Sequence, residues 1–264
     1  MSISAQIAAN LPYLRRYARA LTGSQESGDK FVRATLEAAL ADEALKASMA
    51  EGRVPLYRAF TTLWRSATSG TSDTNGASGL HEGNAQARLS SITPINRQAL
   101  LLTTLEEFQP HQVGEILGVS GEEVRTLVEE AITEIDREAS TSVLIIEDEP
   151  LISMQLEDLV KSLGHEVFAT AATRNQAQEA VSNGKPGLVL ADIQLADGSS
   201  GLDAVDDILE LGDVPVVFIT AYPERLLTGD RPEPTYLVTK PFREQTVRST
   251  MSQALFFNSS KPIS

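Results

Sequence analysis

The chain has no cysteine in its 264 residues, which excludes disulfides and any thiolate metal site. No apolar run approaches membrane-spanning length. The N-terminus also lacks the charged-then-apolar pattern of a secretion signal, so a cytoplasmic protein is expected. Positive charge is scarce, with Lys+Arg 22 against Asp+Glu 36 and a net charge of -14. Of these, 18 acids and 13 bases precede residue 141. Both halves are therefore acidic, and neither carries the basic footprint of a nucleic-acid binder. No nucleotide-binding loop is present, which argues against an enzyme. The length suffices for two domains.

What is present is organised around Leu188-Val189-Leu190-Ala191-Asp192, an apolar run ending on a carboxylate. Turn-forming residues bound it on both sides, as they bound a buried parallel strand. Three other stretches follow the same plan. Val143 to Ile146 runs into Glu147-Asp148-Glu149-Pro150, Val214 to Ile219 ends on Thr220, and Tyr236 to Thr239 ends on Lys240-Pro241-Phe242. Glu166 to Thr170 adds a fifth strand, and amphipathic helix patterns fall at about 151–163, 173–183, 201–211 and 242–256. Five βα alternations predict a doubly wound α/β domain with a five-stranded parallel sheet. In such a sheet the polar strand ends meet at one edge, where chemistry sits.

Glu147, Asp148 and Asp192 would then bring three carboxylates together, which calls for a cation. All-oxygen ligands with room for water suit Mg²⁺ (or Mn²⁺). Asp192 is the candidate nucleophile for a phosphoryl group, giving an aspartyl phosphate. Thr220 and Lys240 are the candidate contacts for the phosphate oxygens. Singly, these residues read as an acidic loop, a helix cap and a surface cation. Four in register at four strand ends argue for a site.

On those residues, the acid pair Glu147-Asp148, the acceptor Asp192, Thr220 and Lys240-Pro241-Phe242, the span from 141 to about 258 resembles the receiver domain of two-component response regulators. The resemblance implies phosphorylation of Asp192 by a histidine kinase, with Mg²⁺ held by Glu147, Asp148, Asp192 and the backbone carbonyl of Gln194. Two departures stand out. Ala196 replaces the proline common in the acceptor loop, and Leu237 replaces the aromatic three residues before the lysine. Tyr236 should face the other way by strand alternation, so Tyr222 is the candidate to supply the switch aromatic. Gln194 and Tyr222, flanking the acceptor and the threonine, are expected to tune the lifetime of the phosphate.

The first half reads as helical. Spacing predicts helices over 3–22, from Asp29 to Leu40, from Leu56 to Trp64, and from about Ile92. Residues 66–90, rich in Ser, Thr, Gly and Asn, read as a linker. Gln112 to Leu117, the turn Gly118-Val119-Ser120 and Glu122 to Val128 form a helix-turn-helix pattern, with Ser120 and Glu123 as a capping box. A DNA-reading second helix needs basic or amide side chains outward. Residues 119–138 instead hold seven acids against Arg125 and Arg137, and phosphates repel such a helix.

Leu11 to Ser24 with the Trp64 region, and residues 94–135 with Glu115 to Ser120, resemble the second and fourth regions of an extracytoplasmic-function sigma factor. A sigma-like helical domain (1–137, region-2-like to about 65 and region-4-like over 91–137) followed by a receiver (141–258) resembles the PhyR-type regulators of the bacterial general stress response. The resemblance implies partner switching. Phosphorylation of Asp192 would expose the sigma-like half, which captures a small anti-sigma factor and so frees the stress sigma factor. The competing function is a receiver-gated transcription factor, or a sigma factor, binding DNA through residues 112–130.

Overall fold

The computed structural model describes residues 3–69, 93–137, 139–182, 184–195, 201–210, 214–223 and 234–259. The chain divides into two compact units, Met1–Ile132 and Thr133–Ser264. No helix among the described residues is long and apolar enough to cross a membrane.

The first unit is helical. Helix α1 (Ile3–Thr22) buries Ile7, Leu14, Tyr17, Ala18 and Leu21 along one stripe, and it runs through Pro12 with the loss of one backbone donor. Helix α2 (Gln25–Ala41) begins four residues before the expected Asp29, because Ser24 caps it and accepts the Ser27 amide at 3.3 Å. Gly28 then falls inside α2, where a Cβ would lie 2.6 Å from the Arg19 backbone nitrogen. The bare glycine is what lets α1 and α2 cross so closely.

Asp42 starts a helix that the periodicity did not suggest, α3 (Glu43–Ala50), by accepting the amides of Ala44 and Leu45. At eight residues it is too short for a clear periodic signal. Helix α4 (Arg53–Ser69) is longer than the expected Leu56 to Trp64 and continues four residues into the stretch read as a linker. The remainder of that linker, from residue 70, lies outside the described residues.

Helices α5 (Ile95–Thr104), α6 (Pro110–Leu117) and α7 (Gly121–Ile135) complete the first half. The unit's core is Tyr17, Tyr57, Phe60 and Trp64 among leucines from α1, α4 and α5. Tyr17 lies edge-on to Phe60 at 6.0 Å between ring centroids, and Tyr57 to Phe108 at 4.9 Å, the geometry that ring quadrupoles favour.

The second unit is a five-stranded parallel sheet of order β2-β1-β3-β4-β5, made of β1 (Ser142–Ile146), β2 (Glu166–Ala171), β3 (Leu188–Ala191), β4 (Val216–Thr220) and β5 (Tyr236–Thr239). Helices α8 (Pro150–Ser162), α9 (Arg174–Ser182), α10 (Gly201–Glu210) and α11 (Glu244–Ser259) follow β1, β2, β3 and β5 in turn. Strands β1 and β3 are buried along almost their whole length, as a sheet covered on both faces requires. The order reverses direction between β1 and β3, so the crevice of this doubly wound fold opens at their carboxyl ends.

Candidate functional site

Asp192 and Lys240 each lie one residue past the last paired strand residue rather than inside the strand. The ladder still reaches them. The Asp192 amide donates to Ile146 O at 2.8 Å, the Glu147 amide to Ala171 O at 2.9 Å, and the Lys240 amide to Thr220 O at 2.7 Å. Each functional side chain is thus anchored by a neighbouring strand just where the sheet opens. Gly201, the first residue of α10, approaches the acceptor loop so closely that a Cβ there would fall 1.7 Å from Asp192 O. Its own amide donates to Ile193 O at 3.1 Å.

The three predicted acids do come together. Glu147, Asp148 and Asp192 offer carboxylate oxygens all within 4.8 Å of one another, an all-oxygen set suited to a hard divalent cation. The lysine reaches them first. Lys240 Nζ donates to Glu147 Oε2 and to Asp192 Oδ2, both at 2.7 Å, and stands 3.6 Å from Glu149 Oε1. Lys240 and the three carboxylates thus converge on one point at the sheet edge.

Glu149 is a further acid of the cluster, beyond those expected from the strand ends. It directly follows the acid pair, and its amide also donates to Glu147 Oε1 at 3.2 Å. Gln194 presents its amide to Asp192 Oδ1 at 3.2 Å, and Thr220 Oγ1 accepts the Tyr222 amide at 3.1 Å. Asp148, Glu149, Asp192, Gln194, Thr220, Tyr222 and Lys240 share the lining of an open cleft of about 420 Å³.

The electrostatics follow from burial. Loss of water pushes the Glu147 carboxyl above its ordinary range, opposed by the hydrogen bond and charge of Lys240 and assisted by Asp192. For Lys240, burial alone would pull the ammonium down. Its hydrogen bonds to Asp192 and Glu147 outweigh that and hold it above the ordinary lysine value.

The aromatic residues sort as strand alternation suggests. Leu237 joins the sheet core with Leu144 and Phe218. Tyr236 is 6% exposed, its hydroxyl has no hydrogen-bond partner among the described residues, and burial pushes its phenol well up. Tyr222, 43% exposed, is the tyrosine that stands in the cleft. Ala196, the other departure noted in the acceptor loop, lies outside the described residues.

In the first unit, the helix-turn-helix pattern is realised. Gly118 closes α6 in the left-handed conformation at φ 75°, which favours glycine. Ser120 Oγ accepts the Glu123 amide at 3.1 Å, and Glu123 reaches back to the Ser120 amide at 3.4 Å. The outward face of α7 carries Glu122, Glu123, Glu129, Glu130 and Glu134, all exposed, with Arg125 as the one cation. It is the wrong sign for a phosphate backbone.

Known proteins share this arrangement. Residues 7–61 match the sigma2 domain of PhyR, residues 89–138 the sigma-like domain of the response regulator PhyR, and residues 143–252 the response regulator receiver domain. The phyllosphere-induced regulator PhyR of Methylorubrum extorquens is 52% identical over 98% of this chain and 97% of its own. The response regulator PhyR of Brucella abortus superposes with a TM-score of 0.83 at 47% identity, over 98% of this chain and 96% of that one. The anti-anti-sigma factor PhyR of Bartonella quintana gives 0.83 at 48%, over 98% and 97%. A sigma-like helical half followed by a receiver, matched along nearly the full length, means that this chain belongs to the PhyR family of response regulators.

Proposed function

We propose that the chain is an anti-anti-sigma factor switched by phosphorylation of Asp192, as a protein similar to the anti-anti-sigma factor of Bartonella quintana. The observation that carries this reading is the Lys240 ammonium shared between Asp192 and Glu147 at 2.7 Å each. A phosphoryl group on Asp192 gives that lysine a stronger acceptor than either carboxylate.

The proposed chemistry is a transfer from a phosphohistidine of a histidine kinase. An Asp192 carboxylate oxygen forms the new bond to phosphorus as the phosphorus–nitrogen bond breaks, and the leaving imidazole takes up a proton. Glu147, Asp148, Asp192 and the Gln194 carbonyl would hold Mg²⁺ (or Mn²⁺), which would supply positive charge against the phosphoryl oxygens. Lys240 and Thr220 hold the transferred group. Tyr222, at the rim of the same cleft, couples its occupancy to the following loop.

In this reading residues 1–137 form the sigma-like domain, residues 66–90 are its internal linker, and residues 141–258 form the receiver, all working in the cytoplasm. The sigma-like half binds a small, basic anti-sigma factor when Asp192 is phosphorylated, which releases the stress sigma factor. Electrostatics support the assignment, because the exposed acids of α7 complement a basic helix. The same acids weigh against the second reading, a promoter-binding factor using residues 112–130.

The test is a lysate pull-down on the full chain with Mg²⁺, with and without a small phosphodonor, beside Asp192→Ala. Capture of a small basic anti-sigma factor only with the phosphodonor, lost in Asp192→Ala, supports the proposal. Retention of RNA polymerase or promoter DNA instead sinks it.

A further inference from the structure

Glu106 lies just beyond α5 in the first unit and is 1% exposed. Each of its oxygens takes two donors. Oε1 accepts Arg16 Nε at 3.0 Å and Arg16 Nη2 at 2.9 Å, while Oε2 accepts Arg53 Nη2 at 2.8 Å and the Tyr57 hydroxyl at 2.7 Å. The same two arginines close the end of α5, Arg16 on Leu105 O at 2.9 Å and Arg53 on Glu106 O at 3.1 Å. Leu105 caps α5, so its carbonyl is one that a helix end leaves without an intrahelical partner, and Glu106 follows it. The Arg53 guanidinium also sits 4.6 Å from the Phe108 ring centroid, a cation–π distance. The turn presenting Glu106 holds Glu107 in a left-handed conformation at φ 57°, a strain that persists only where the surroundings enforce it.

All the donors to this carboxylate come from α1 and α4, within the 7–61 match. The acceptor belongs to the 89–138 match. Two uncharged acceptors tie the same helices together, Leu21 O of α1 receiving Thr93 Oγ1 at 2.6 Å and Leu117 O of α6 receiving Nη1 of Arg65, in α4 just beyond the first match, at 2.8 Å. Glu106 differs because separating the segments would strand a buried charge on each side, the least tolerated of polar losses. Asp29 offers the contrast. It pairs with Arg15 and Arg19, so its ion pairs stay within α1 and α2, and it is a quarter exposed.

We propose that Glu106 is a charge lock that makes the two sigma-like segments one cooperative body. The segments open together rather than one at a time, so a partner touching both meets a preassembled surface. The proposal stands apart from the identity of that partner and from the chemistry of Asp192.

The test is hydrogen exchange followed by mass spectrometry on the full chain. In the native protein the slowest amides of α1 and α4 and those of α5 and α6 should agree in protection to within about 3-fold. Glu106→Gln and Arg16→Met should each release α5 and α6 at least about 10-fold ahead of α1 and α4. Asp29→Asn should leave the two in step. Should Glu106→Gln fail to fold, Tyr57→Phe removes one donor of four and should give the same split on a scale of about 3-fold. A native protein already out of step, or charge variants whose segments lose protection together, would overturn the lock.

Discussion

Lys240 Nζ and Asp192 Oδ2 meet at 2.7 Å, and the same ammonium holds Glu147 Oε2 at the same distance. The lysine therefore draws on two of the carboxylates, Glu147 and Asp192, that are proposed to hold a divalent cation. A cation entering the cluster must compete with it. Lys240→Ala should raise Mg²⁺ affinity by at least about 3-fold, read by calorimetric titration, while removing the response to a phosphodonor. Unchanged affinity would mean that the lysine is not the resident counter-ion.

Glu147 and Lys240 give the cluster a pH dependence with two different signs. The Glu147 carboxyl is raised by burial, so its charged form is disfavoured in the folded chain. The resulting penalty is absent below the ordinary value of 4.5 and sets in as pH climbs past it. Lys240 is raised above 10.5, so its contribution is complete below that pH and is lost as pH rises through the folded value. In metal-free solution at pH 7, Glu147→Gln should hold or raise the melting temperature, while weakening Mg²⁺ binding by at least about 10-fold. Lys240→Met should abolish the part of the alkaline stability loss that begins near pH 10.5. A marked drop in the melting temperature of Glu147→Gln would contradict the burial argument.

Gln194 and Tyr222 stand beside the acceptor and the threonine, each donating its amide to one of them. Both residues line the cleft beside Asp192, and the role proposed for their side chains is to govern the access of water to an acyl phosphate there. Gln194→Ala and Tyr222→Ala should each change the lifetime of the phosphorylated chain by more than about 3-fold, measured by decay of radiolabel. Lifetimes matching the native protein would remove both residues from that role.

Gly201 has no room for a side chain, since a Cβ would overlap Asp192 O at 1.7 Å. Gly201→Ala must push the acceptor loop out of place. Phosphorylation of Asp192 should fall by at least about 10-fold with the sheet still folded, as read by circular dichroism beside the labelling assay. Native labelling would show that the loop tolerates the shift.

Gly28 makes a parallel case in the first unit. Its missing Cβ lets α2 lie on the Arg19 backbone, and Gly28→Ala should destabilise that unit by about 1–3 kcal/mol in denaturant unfolding. A neutral outcome would mean that α1 and α2 can separate freely at their crossing.

Much of this protein was decided along the chain. Four apolar runs with polar ends dictate a parallel sheet, because a strand buried on both faces can tolerate polar groups only at its ends; the half-exposed edge strand β2 joins them. Asp192, Thr220 and Lys240 follow from that rule, since parallel strands carry their ends to one edge. The acids of α7 were equally legible, because charge needs no fold to be counted. Short or interrupted elements were not. Helix α3 has eight residues, too few for a period to show. The true start of α2 hid behind Gly28, whose helical position makes sense only against α1.

The tertiary structure alone decided which charge answers which. Nothing local says that Lys240 bridges Glu147 and Asp192, residues 93 and 48 positions away. Nor does anything local say that Glu106 gathers Arg16, Arg53 and Tyr57. Periodicity reports which face of an element is buried. The pairing of buried charges depends on distances that exist only once the elements have packed, and burial makes those pairings obligatory.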